Sequence, residues 1–252
     1  MGQKTNLQKP WDEMSPYYQK KYGKSLMFYE KTIHLKLFGD IKGKKLLDLG
    51  CGGGQTSIFF AQQGTIVIGI DFSERQIEFA KALAERMKIG KVSFQQGDME
   101  NLSMLKDCSY DLANSSHAIH YIKNLQRCFD EIFRVLKPGG KFVFSVSHPF
   151  NHIVDTENNQ LVVKRSYFRG GEYRWNWEYP EERLKYPMSL FIRKVDDYFT
   201  ALRKSGFLVE DLLEPKTNLD KNSPWYNQSE PHEELVPGVL IFGVRKPRKT
   251  NP

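Results

Sequence analysis

The chain predicts an α/β domain organised on a doubly wound sheet, and three observations carry that reading. Short apolar runs alternate with stretches of helical period from residue 44 to residue 146. The apolar runs lack the inside–outside alternation of a sheet wetted on one face, as expected of strands covered by helices on both sides. The helical stretches are closed by glycines or by a Lys-Pro-Gly-Gly turn, so strand, helix and strand follow one another as right-handed crossover units.

Taken in order, residues 1–25 are polar with scattered aromatics, Trp11, Tyr17, Tyr18 and Tyr22, and a helix is expected from residue 25 to about 38. Residues 44–49 form the first strand. The glycines after it open a helix over about 53–63 that carries Ile58, Phe59 and Ala61 and stops at Gly64. Residues 65–70 are the second strand. Ser73 and Gln76 then form a capping box for a helix running to about Lys88, with Ile77, Ala80, Ala84 and Met87 on one stripe and Gly90 as the stop. Strands follow at 92–96 and 110–115. Leu125, Cys128, Phe129, Ile132, Phe133 and Leu136 trace an amphipathic helix closed by Lys137-Pro138-Gly139-Gly140, before a strand at 141–146. There the rhythm breaks. Residues 148–189 show no helix of comparable period, but carry turn signals at Asn158-Asn159 and Gly170-Gly171 and a dense aromatic stretch. A helix at 194–204, a stop at Gly206 and strands at 207–213 and 239–244 complete the chain.

The 252 residues thus read as one domain: an N-terminal helical segment (1–40), a core (41–147), an insertion (148–190) and a C-terminal part with a basic tail (191–252). A hydrophobic fraction of 40% is enough for a substantial core. The net charge of +7 gathers in two short patches, 42–45 and 245–249, which read as solvated surface rather than a nucleic-acid footprint. Cys51, Cys108 and Cys128 are odd in number and stand at neither disulfide nor metal-ligand spacing, which predicts a reducing, cytoplasmic setting and no metal. Residues 1–11 show no apolar leader-like run and no apolar run of membrane-spanning length occurs, so neither export nor a membrane span is expected.

Chemistry is concentrated where the first strand runs into glycines. Leu46–Ser57 reads LLDLGCGGGQTS, with Asp48, Gly50, Gly52 and Gly54 alternating. In an open parallel sheet, ligands bind beyond the carboxyl ends of the strands where strand order reverses. The dinucleotide fingerprint would require glycine at position 55, which is Gln55. Asp71 ends the next strand, where a carboxylate can accept two hydrogen bonds from a ribose diol, each contributing about 1.5–3 kcal/mol.

With Gln96-Gly97-Asp98-Met99, the segment YDLANSSHAIHYI (Tyr110–Ile122) and the segment RVLKPGGKFVFSVSHP (Arg134–Pro149), these motifs resemble the small-molecule class I S-adenosylmethionine-dependent methyltransferases. The resemblance implies a Rossmann-like seven-stranded sheet, mostly parallel with the last strand antiparallel, and an acceptor cap inserted after the fifth strand. It implies S-adenosylmethionine as cofactor, held by Asp48, Gly50, Cys51, Gly52 and Gly54, by Asp71 at the ribose, by Phe72, Asp98 and Met99 around adenine, and by Asn114 near the sulfonium. Tyr18 and Tyr22 would belong to a lid. The sulfonium makes the methyl group an electrophile, so the protein chiefly supplies alignment, with a base only where the acceptor must lose a proton. His117 is the first choice for that base and His148 the second. These two and His120 are also candidate acceptor contacts. Tyr167, Phe168, Tyr173, Trp175 and Trp177 either wall an apolar or aromatic acceptor or form the cap's own core, and both readings stand. The expected partner is a small-molecule acceptor, with no membrane, and the state a monomer or homodimer. Two rivals are a nucleic-acid methyltransferase, for which the Pro-Pro motif after the fourth strand is missing, and a binding protein that has lost transfer.

Overall fold

The computed structural model describes residues 7–23, 29–158, 160–216 and 235–248. In chain order the elements are α1 (Gln8–Tyr22), α2 (Tyr29–Phe38), β1 (Lys45–Leu49), α3 (Gln55–Gln62), β2 (Ile66–Asp71), α4 (Glu74–Arg86), β3 (Val92–Gln96), β4 (Tyr110–Ser116), α5 (Leu125–Val135) and β5 (Leu136–Ser147). The insertion holds β6 (Val154–Glu157), β7 (Gln160–Val163), β8 (Gly171–Tyr179) and β9 (Leu184–Ile192), and α6 (Val195–Lys204), β10 (Leu208–Leu213) and β11 (Val239–Arg245) follow. Residues 25–28 of the expected second helix and Lys249 of the basic tail lie outside the described residues.

Seven strands form one sheet in the order β10-β11-β5-β4-β1-β2-β3. β1 pairs in parallel with both β2 and β4, so the chain reverses its direction of growth at β1, which creates the switch-point crevice at its carboxyl end. β11 runs antiparallel between β5 and β10, and the fold is the Rossmann-like one expected. The central strands are buried on both faces. Leu47, Leu49, Ala113, Phe142 and Phe144 meet α5 and α6 in one core. Leu46, Val67, Leu112 and Val143 meet Phe38, Ile41 and Phe60 in a second core beneath α2 and α3, and Ile58, Ile77, Ala80 and Phe94 join α3 to α4. These two-sided contacts explain the continuous apolar runs.

Several local expectations shift. α4 ends at Arg86, and the left-handed turn that stops it is Lys88 (φ 55°), two residues before Gly90. Met87 therefore sits at the cap, 41% exposed, and not on the buried stripe. Only half of the capping box forms: Ser73 Oγ accepts from the Gln76 N–H at 3.1 Å, while the Gln76 carboxamide accepts from Gln19 of α1. Leu136 already belongs to β5. Residues 137–140 bulge out within that strand, because Leu136 pairs with Tyr110 while Lys141 pairs with Leu112. The insertion, where the sequence shows no helix of comparable period, is built from two hairpins, β6–β7 and β8–β9. In β8 aromatic Tyr173, Trp175, Trp177 and Tyr179 alternate strictly with exposed Arg174, Asn176 and Glu178, a period of two that marks a strand with one face covered.

Candidate active site

Register places the acidic residue of the glycine motif at the centre of the sheet. Asp48 stands beside Gly69 on one side and Asn114 on the other, and its carboxylate is buried. Asp48 Oδ2 accepts from Ser57 Oγ at 2.5 Å, and Oδ1 accepts from Asn114 Nδ2 at 2.7 Å. Asn114 Oδ1 lies 2.7 Å from His34 Nδ1. Because the Asn114 amide donates toward Asp48, its oxygen must accept, and so His34 Nδ1 carries the proton. A chain of donors from α2, β4 and α3 therefore converges on Asp48. Burial raises the Asp48 pKa to about 6, against the lowering effect of the Ser57 and Asn114 hydrogen bonds. Asn114, expected near the sulfonium, is wholly buried and spends its amide on Asp48 and His34. His34 and Ser57 escaped the sequence reading; helix α2 carried no motif to mark the first.

The loop that follows is shaped for close approach. A Cβ at Gly50 would collide with that of Ala118, which follows β4. Gly52 has φ +52°, a region L side chains rarely adopt, and a Cβ there would meet only Gln76 Oε1 at 3.9 Å, so open space lies over it. Gln76 is 1% exposed, and its Nε2 has no hydrogen-bond partner among the described residues. An unpaired buried donor beside open space suits a polar ligand over the loop. Cys51 is buried with its thiol close to Gly69, and burial first, then Asp71 and Asp48, pushes its pKa well up.

Asp71 closes the far side. Its Oδ2 accepts from the Gly52 N–H and its Oδ1 from the Ser73 N–H, both at 2.9 Å. Burial raises its pKa to about 6 in spite of these bonds, with Asp12 and Asp48 adding to the rise. Phe72 is half-buried, and its carbonyl accepts from Gln96 Nε2 at 2.9 Å. Asp98 Oδ1 accepts from the Glu100 N–H at 2.8 Å, and Met99 is buried, its Cε 3.2 Å from where a Gly50 Cβ would stand. Loop, Asp71, Asp98 and Met99 are thus gathered at the carboxyl ends of β1, β2 and β3, an arrangement that fits an adenosine with a polar tail.

Helix α1 lies across this crevice. Asp12 Oδ1 accepts from Ser73 Oγ at 2.6 Å and from the Arg75 N–H at 3.2 Å. Gln19 donates to Gln76 Oε1 and accepts from Gln55 Nε2, both at 2.7 Å. Tyr22 is buried and Tyr18 partly so, and burial, with Tyr121 next, raises the Tyr18 hydroxyl's pKa far up. The other side of α1 meets the insertion: the Trp177 ring lies 5.8 Å from that of Tyr18, 6.2 Å from that of Tyr22 and 6.4 Å from that of Trp11. Met14, Tyr179, Tyr186 and Met188 form the buried centre of this cluster.

The histidines separate by environment. His148 is buried; its Nδ1 accepts from the Phe150 N–H at 3.1 Å, so the proton sits on Nε2, which faces Glu214 Oε1 at 2.9 Å. Burial lowers its pKa, with Glu214 opposing. Both ring nitrogens are thereby committed. His120 is buried in a 3-10 turn, Ile119–Tyr121, edge-on to Tyr121 at 4.4 Å, and burial first, then His117, keeps its pKa well below the ordinary range. Its Nδ1 has no partner among the described residues. His117 is half-buried at the end of β4 in a left-handed conformation (φ 52°), held by its N–H to the Ser145 carbonyl, with its ring 6.1 Å from that of His120. His152, missed by the sequence reading, stands nearby with its pKa lowered to about 4 by burial, Arg165 and His148.

The insertion's aromatics divide. Trp175 and Trp177 pack with α1 around the buried cluster, and Tyr173 stacks on Trp175 at 5.9 Å beneath Arg165. Tyr167 stacks on Phe150, and its hydroxyl accepts from the Val195 N–H at 3.1 Å. Phe168 is 82% exposed. No group of acidic, histidine and cysteine side chains that could hold a metal occurs among the described residues.

With that geometry in place, comparison with known proteins is decisive for the class. Residues 40–181 match the methyltransferase domain family, over more than half of the chain. The chain belongs to this family and is a class I S-adenosylmethionine-dependent methyltransferase. It is similar to an S-adenosylmethionine-dependent methyltransferase of Mesorhizobium loti, with 26% identity and a TM-score of 0.67 over 84% of this chain and 96% of that one. It is 32% identical to a demethylmenaquinone methyltransferase of Leptospira interrogans, over 64% of this chain and 66% of that protein. It is 38% identical to a ubiquinone biosynthesis O-methyltransferase of Coxiella burnetii over 106 residues, and so spans 44% of that relative's length. Among the described residues no helix is long and apolar enough to cross a membrane.

Proposed function

We propose that this methyltransferase transfers a methyl group to a ring hydroxyl or ring carbon of a small aromatic molecule, with His117 as the base. The observation that carries the acceptor class is the aromatic cluster in which Trp11 and Tyr18 of α1 and Trp177 of β8 meet one another and Trp11 meets Tyr121. This cluster joins the cofactor crevice to the insertion, and flat apolar rings with few polar groups select flat apolar ligands. The relatives named for ubiquinone and demethylmenaquinone support the same class.

S-adenosylmethionine supplies the electrophilic methyl group. The glycine loop, Asp71, Asp98 and Met99 hold and orient it, and α1 with the β8–β9 hairpin excludes water from the crevice. A ring hydroxyl must lose its proton as it attacks, which requires a neutral imidazole with a reachable nitrogen. His148 has both nitrogens engaged and His120 is fully buried, whereas His117 is partly exposed at the strand end. His117→Ala is expected to lower kcat by about 10²–10⁴-fold with cofactor affinity within about twofold. Turnover of a panel of phenols, catechols and hydroquinones, with the products read by mass, tests the proposal. Cofactor binding without methylation of any ring acceptor would overturn it.

A further inference from the structure

The two basic patches that the sequence presents as solvated surface converge in the fold. Lys44 precedes β1, Lys137 and Lys141 stand in the bulged start of β5, and Arg245 and Arg248 end and follow β11. Together with Phe38, Asp111 and Pro138 they line one cavity of about 210 Å³. It lies at the amino ends of β1, β4 and β5, opposite the cofactor crevice and about 16 Å from it by the rise of five strand residues.

Part of this charge is used by the fold. Lys137 Nζ meets Asp111 Oδ1 at 2.6 Å, Lys141 Nζ donates to the Leu37 carbonyl at 2.6 Å, and Arg245 forks onto Glu210 at 2.5 and 2.9 Å. Lys44 and Arg248 make no ion pair among the described residues. Gly139 keeps Arg248 over the cavity: at φ +82°, a Cβ there would stand 3.1 Å from Arg248 Nε and 3.2 Å from its Cγ. Five cations and one carboxylate line the cavity: Asp111 interacts with Lys137 and Lys44, Arg245 is held by Glu210 from outside the lining, and Lys141 and Arg248 make no ion pair among the described residues. A concavity in which five cations outnumber one carboxylate concentrates anions, and paired guanidinium and ammonium donors suit phosphate oxygens.

We propose that this cavity is a binding site for the phosphate group of a soluble ligand, with Lys44 and Arg248 as its donors on a platform of Lys137 and Lys141. The site is separate from methyl transfer. Its position on the far end of the sheet also means that a nucleic acid held there would not present a base to the cofactor crevice.

Calorimetric titration of the full chain with inorganic pyrophosphate, in the presence of saturating S-adenosylhomocysteine so that the cofactor crevice is filled, tests the site. One pyrophosphate per chain is expected, with at least tenfold weaker binding in the Lys44→Ala, Arg248→Ala double variant and unchanged S-adenosylhomocysteine affinity. Gly139→Val, which displaces Arg248 without removing charge, is expected to weaken binding as well. A parallel arm measures sedimentation with phosphatidylglycerol vesicles: vesicle binding that is lost in the double variant, without pyrophosphate binding by the wild type, would overturn the soluble ligand in favour of a lipid headgroup. Equal pyrophosphate binding by wild type and double variant, binding of neither probe, or retention of RNA alone would overturn the proposal.

Discussion

At the scale of single residues, the cofactor crevice is held by carboxylates that burial has made easy to protonate. Asp71 has a folded pKa of about 6 against an ordinary value of 3.8. Its contribution to the stability of the ligand-free protein is therefore present below about pH 3.8 and lost as pH rises through about 6. Ligand binding has the opposite sign, since only the carboxylate accepts two bonds from a diol. S-adenosylhomocysteine affinity is expected to fall about tenfold between pH 7 and about 5, and the fall to vanish in Asp71→Asn. Calorimetry across that range decides it, and a flat wild-type profile would remove Asp71 from the ribose. The second buried carboxylate, Asp48, depends on a relay that ends at His34. His34→Phe fills the same space but leaves the Asn114 oxygen without its donor, a loss of about 1–3 kcal/mol in urea unfolding. His34→Gln, which can donate, is expected to recover part of it.

At the scale of elements, α1 is fastened at both ends of its span, by Asp12 to the start of α4 and by Gln19 to Gln55 and Gln76. Ser73 serves twice, as N-cap of α4 and as donor to Asp12. Ser73→Ala is expected to cost about 1 kcal/mol as a lost cap and to speed hydrogen exchange in α1. Unchanged exchange over residues 8–22 would mean that the Asp12 contact does not hold the helix. The contacts of α1 reach from sheet to insertion, so the aromatic stretch at 173–179 is not an isolated core of the insertion. Trp177 packs against α1, Phe168 stands in solvent, and no periodicity in the sequence separates them, because the partner ring is about 160 positions away.

At the scale of the molecule, β11 is joined to β5 through stacked rings. Phe144 lies on Phe142 at 4.9 Å and on Phe242 at 5.1 Å, fully buried. Phe144→Ala is expected to cost about 3–5 kcal/mol, read as a lower urea midpoint with an unchanged slope; a cost under about 1 kcal/mol would show that the sheet and α6 collapse into the space.

The order of strands and helices from residue 44 to residue 146, the glycine loop and the position of Asp71 at a strand's end were legible in the chain itself, because each depends on contacts within a few residues: apolar period and turn chemistry; α1 and the four strands of the insertion were not. The motif segments of residues 46–149 carried the class. What tertiary structure alone decided are the contacts between distant segments. Parallel register set Asp48 beside Asn114, and the packing of α2 brought His34 to Asn114. Burial then sorted the histidines, leaving His117 partly open while it enclosed His120 and committed His148. The sheet's amino end drew two separate basic patches into one cavity. Side chains far apart in sequence meet only when strands pair and layers pack, and a pKa follows from that packing, not from the residue's neighbours in the chain.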